Sequence, residues 1–110
     1  MVIGIGVPEY ARNAPFLTEA GAIWLVEHRA RLVGIDAVNI DDTSNGGHRP
    51  AHTVLLAAGI PIVEHLTNLD QLPPTGARFT AVPPRIADFG TFPVRAYASL
   101  PAGGDESSWQ

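Results

Sequence analysis

The run from Arg49 to Leu66 constrains this chain more than any other, because it carries its own helix start, helix stop and change of period. Pro50 suits a first helical turn, where its missing N–H would lack a partner anyway. Leu55 and Leu56 follow His52 at the spacing of one helix face. Gly59 can supply the left-handed residue that ends a helix. Beyond it Ile62, Glu64 and Leu66 share one face of a period-two segment, which predicts a strand with a carboxylate among aliphatic side chains. Such a carboxylate is costly to bury unless something positive meets it. A divalent metal ion is one such partner. Imidazole nitrogen and carboxylate oxygen both ligate zinc or manganese, and a helix and strand joined at Gly59 can bring His52 and Glu64 to one ion.

The flanking segments read as alternating helix and strand. Thr18 is a suitable N-cap, and the apolar spacing from Ala20 to Val26 predicts a helix over 19–30 with Trp24 packed. His28 falls near its end and reads as a surface residue, well placed against the helix dipole. Leu32 to Ile40 is nearly continuous in apolar residues, as in a strand covered on both faces. Asp36 inside it is expected to be hydrogen-bonded in a structural role. Asp41 and Asp42 open a polar loop through Gly47 and are read as solvated, at most edging a site. His48 lies in that loop ahead of Pro50 and ranks below His52 as a ligand. His65 should face away from Glu64.

Later in the chain, 78–82 alternates and stops at Pro83-Pro84, and 92–99 alternates Val94, Ala96 and Ala98 against Arg95, Tyr97 and Ser99. Both predict strands. Residues 1–7 form an apolar run that can be a strand, and 101–110 lacks the means to build a core and is expected to be disordered.

Composition narrows the function classes. The net charge is −4, and the seven basic residues are all Arg and scattered, which gives no basic face for nucleic acid. Without Cys, thiolate zinc sites and disulfides are excluded, leaving His and carboxylate as metal ligands. No apolar run reaches the roughly 18 residues of a membrane span, so a cytoplasmic location is expected.

The stretches Leu32–Asp36, Asn39–Asp42, Arg49–Leu69, Phe79–Pro84 and Phe92–Ala98, in that order, resemble the C-terminal half of the cyclase family of metal-dependent hydrolases. That family includes bacterial kynurenine formamidase and isatin hydrolase. Its C-terminal half contributes a His and, twelve residues later, a Glu to a metal centre, and His52 and Glu64 match those positions. Its N-terminal half carries a His-x-Gly-Thr-His-x-Asp-x-Pro type motif with the other ligands, followed by a catalytic His. No Gly-Thr-His occurs in these 110 residues.

The resemblance implies an α/β fold, a mixed β-sheet with two main helices, over a partial domain at 1–100 followed by the tail 101–110. It implies a zinc or manganese cofactor, and hydrolysis of an amide such as an N-formylkynurenine-like arylformamide or a related cyclic amide. No catalytic residue is assigned within the chain. Catalytic zinc usually has three protein ligands, so His52 and Glu64 fall one short unless Asp36, His48 or another chain joins them. Turnover by the chain alone is therefore not expected. The implied partners are a small amide substrate and either further copies of the chain or a complementary N-terminal half. The alternative, of another class, is a non-catalytic remnant or interaction module that needs a partner chain. A third reading is a small binding domain unrelated to the cyclases.

Overall fold

The structure, a computed structural model, describes residues 14–101. The strand predicted over 1–7, and all of the tail but Pro101, lie outside them. Helix α1 spans Glu19–Glu27 and begins where its cap predicts: Thr18 is extended, and its Oγ1 accepts the Gly21 N–H at 3.0 Å. It ends short of residue 30, since His28 forms the C-cap and Arg29 turns the chain at φ 61°.

Strand β1 (Val33–Gly34) and strand β2 (Ile62–Val63) pair in parallel, Val33 opposite Ile62 and Gly34 opposite Val63. Parallel neighbours need a crossover, and helix α2, Pro50–Ala57, lies on the connection between them. Pro50 starts α2 as predicted, and Gly59 follows it at φ 75°. Backbone pairing runs on past both strands. Ile35 N–H donates to Val63 O at 2.9 Å, Leu66 N–H to Ile35 O at 3.1 Å and His65 N–H to Ala37 O at 2.9 Å. Gly34 makes this close approach possible, because a Cβ there would lie 2.6 Å from Leu66 Cδ1.

The core gathers Ala22 of α1, Ile40, Ala51 and Leu55 of α2, and Ile60, all buried, with Leu17, Leu25, Val26, Val33 and Ile62 packed around them. Ile40 is held in place from a second side as well, its carbonyl accepting the Leu17 N–H at 2.8 Å.

Three expectations are corrected here. The strand predicted over 32–40 shrinks to Val33–Gly34, because the chain then bends to carry Ala37 and Ile40 into the core; Leu32 and Asp36 are exposed. The strand through Leu66 stops at Val63, and His65 adopts φ 61°, which breaks the shared face of Ile62, Glu64 and Leu66. Trp24 is 56% exposed rather than packed. The inward face of α1 runs through buried Ala22 and half-buried Leu25 and Val26, and Trp24 instead stacks on His28, ring centroids 3.8 Å apart.

The chain divides into two compact units, Met1–Thr67 and Asn68–Gln110. In the second, a 3-10 turn at Leu69–Gln71 precedes strand β3, Arg78–Val82, as predicted. Strand β4, Arg95–Ser99, starts later than Phe92. The two pair antiparallel, with Arg78 opposite Ser99 and Thr80 opposite Tyr97. The described residues thus form an α/β structure with two helices and two two-stranded sheets, one parallel and one antiparallel, in place of one mixed sheet. Among them no helix is long and apolar enough to cross a membrane.

Candidate metal centre

His52 stands in the first turn of α2, where backbone N–H groups lack partners within the helix. Arg49, at the N-cap, makes no side-chain cap. Asp41 takes over that task from a distant loop. Its Oδ1 accepts the Ala51 N–H at 2.7 Å and its Oδ2 the His52 N–H at 3.0 Å. The same Oδ2 lies 2.8 Å from Nδ1 of the His52 ring. Asn39 Oδ1 in turn accepts the Asp41 N–H at 2.8 Å.

Asp41 is 3% exposed. Burial by itself pushes its carboxyl up, but the N–H groups of His52 and Ala51, then the His52 ring through its hydrogen bond and charge, outweigh that and hold it below the usual carboxylate value.

Glu64 directly follows β2. Its Oε2 accepts the Ile40 N–H at 2.8 Å and lies 3.4 Å from His52 Nε2. The apolar strand face that suggested a partner for this carboxylate ends before Glu64. The backbone N–H of Ile40 and the His52 ring meet it instead. Both predicted ligands therefore converge, through the parallel pairing that sets β2 beside the segment leading to Ile40.

The other candidates stay apart. Asp36 is exposed in a bend, and His48 is exposed in the loop before Pro50; neither makes a hydrogen bond or ion pair with His52 or Glu64. Asp42 accepts from Ser44 Oγ at 2.6 Å and from Ser44 N–H at 2.9 Å, and these bonds lower its carboxyl below the ordinary value. His28 caps α1, its Nδ1 2.8 Å from the Trp24 carbonyl. His65 is half-buried one residue beyond Glu64.

Asp41 was read from the sequence as solvated, and the structure corrects this. One signal could have marked it: α2 opens on Arg49-Pro50, with no Ser, Thr, Asp or Asn to cap it, so an acceptor had to come from elsewhere in the chain.

The donor set fits a divalent ion in part. Two ligand atoms each about 2.1 Å from a tetrahedral zinc stand about 3.4 Å apart. That matches the separation of His52 Nε2 and Glu64 Oε2. It exceeds the roughly 2.7–3.2 Å of a good N–H···O bond. Among the described residues no group of three or more His, Asp and Glu is placed to hold a metal ion. His52 and Glu64 thus form a pair of candidate donors and not a complete ligand set. No protein-family model, curated protein or solved structure matches the chain.

Proposed function

We propose that this chain carries the C-terminal half of a metal-dependent amide hydrolase of the cyclase type, acting in the cytoplasm, in which His52 Nε2 and Glu64 Oε2 hold a zinc or manganese ion. The observation that carries this reading is the 3.4 Å contact of those two atoms, long for a hydrogen bond and equal to the spacing of two ligands on one tetrahedral ion. The reaction class comes from the ordered resemblance to the cyclases, and the substrate class is an N-formylkynurenine-like arylformamide or a related cyclic amide.

A divalent ion held there supplies Lewis-acid polarisation of the amide carbonyl. The chain's own residues do the holding. Glu64 brings the negative charge and is anchored by the Ile40 N–H; His52 brings a neutral donor fixed to the start of α2. The remaining ligands and the proton-handling group would come from outside these 110 residues, whether from a complementary N-terminal half or from another copy.

A second reading, a non-catalytic module that docks on a partner chain, is favoured by the large apolar side chains left on the surface. Trp24 is 56% and Phe89 62% exposed.

The test is complementation. The chain alone is expected to leave an N-formyl aromatic amine intact, and mixing it with an N-terminal segment of a related enzyme that carries the His-x-Gly-Thr-His motif should give metal-dependent cleavage, lost on Glu64→Gln. Turnover by residues 1–110 alone would overturn the half-centre. A mixture that binds zinc yet stays inactive would favour the docking module.

A further inference from the structure

We propose that Asp41 is the positioning residue of this half-site, holding the His52 ring in the tautomer and orientation that turn an unprotonated Nε2 toward a divalent cation. The inference rests on the hydrolase reading for the identity of the cation, and on the geometry alone for the role of Asp41.

A neutral imidazole carries one proton on two nitrogens, and the hydrogen bond made by one nitrogen decides what the other can do. An aspartate of ordinary acidity is ionised at neutral pH and can then only accept. In the neutral ring Nδ1, 2.8 Å from Asp41 Oδ2, is therefore the nitrogen that carries the proton, and Nε2 keeps its lone pair. That lone pair lies 3.4 Å from a Glu64 oxygen already accepting from Ile40. With the ring neutral, two acceptors are thus turned toward each other, an arrangement that a cation between them relieves.

What separates Asp41 from an incidental neighbour is that it is fixed on every side. Its two oxygens accept the Ala51 and His52 N–H groups, its own N–H donates to Asn39, and the side chain is buried. The carboxylate cannot swing away without uncapping α2. The His52 ring and the His52 backbone therefore share one anchor, so the aim of Nε2 is tied to the start of the helix. Metal-ligating histidines are characteristically held in this way through their second nitrogen, and loss of the holding group typically weakens metal affinity by about 10- to 100-fold.

The experiment is nitrogen-15 NMR of the histidine rings, with His52 assigned from His52→Gln, at about pH 8.5, where imidazoles of ordinary pKa are neutral. In the metal-free wild type, His52 is expected to show a protonated Nδ1 and an unprotonated Nε2. In Asp41→Asn that bias should be lost or reversed, and zinc affinity measured by calorimetry should fall by about 10- to 100-fold. A wild-type His52 protonated on Nε2 would overturn the proposal. So would an Asp41→Asn chain that keeps both the tautomer and the affinity. Should that variant fail to fold, the wild-type tautomer decides the question. If the wild type shows the expected tautomer but binds no zinc, the positioning role of Asp41 stands and the metal reading fails.

Discussion

The carboxylate of Asp41 lies 2.8 Å from the ring Nδ1 of His52, eleven residues further along the chain, and also accepts the backbone N–H of that same residue. One buried acceptor thereby serves a helix start and a side chain at once. Removing it should cost more than a surface cap does. Asp41→Ala is expected to destabilise the protein by about 2–4 kcal/mol, because buried donors lose their partner and α2 loses its cap. Urea unfolding measures this; a loss near the few tenths of an ordinary surface change would mean that the cap is not used in solution.

Acid should act through the same group. The Asp41 carboxyl is held below its usual value in the folded protein, so the unfolded state binds its proton first as pH falls. Its contribution to stability is full above the unfolded value near 3.9 and is lost as pH drops through the lower folded value. Unfolding free energy followed from pH 7 downward should show this fall, and Asp41→Asn should flatten it. An equally steep fall in the variant would assign the acid sensitivity to other groups.

If His52 and Glu64 hold a metal ion as proposed, a pattern across four histidine and glutamate variants follows. His52→Ala and Glu64→Gln should each abolish zinc or manganese binding, while His28→Ala, at the cap of α1, and His65→Ala, just past Glu64, should leave it intact. Calorimetric titration distinguishes the four. Equal loss in all of them would indicate scattered surface binding.

Neighbouring leucines in α2 should respond in opposite ways. Leu55 is fully buried and Leu56 is 56% exposed. Leu55→Ala is expected to cost about 2–5 kcal/mol through lost burial and a cavity, and Leu56→Ala less than about 0.5 kcal/mol. Comparable losses at both positions in denaturant titrations would contradict the orientation of α2.

Exposed Trp24, Ile86, Phe89 and Phe92 lead us to expect concentration-dependent association of the chain. Sedimentation velocity over a wide concentration range tests it. A monomer at every concentration would remove the case for a missing partner surface.

Local signals in the sequence were legible because each depends on residues within a turn of one another. Thr18 capping α1, Pro50 opening α2, Gly59 ending it and the alternation of 78–82 all need little beyond their own neighbourhood. The convergence of His52 and Glu64 was expected from a helix and a strand joined at Gly59, and from the family resemblance. The pairing that produces it, with β1 beside β2 and Ile40 beside Glu64, is long-range.

Tertiary structure alone decided the fate of Asp36, Asp41 and Asp42. Asp36 looked buried because its neighbours are apolar, yet the regular strand ends at Gly34 and the chain bends at Asp36, which exposes it. Asp41 and Asp42 looked equivalent in a polar loop. The bend that drives Ile40 into the core swings Asp41 under an uncapped helix and leaves Asp42 to Ser44. Composition and spacing set which elements form, because backbone preference and capping act over a few residues. Which polar group is buried with which partner depends on contacts between segments far apart in sequence, and those exist only once the chain has packed.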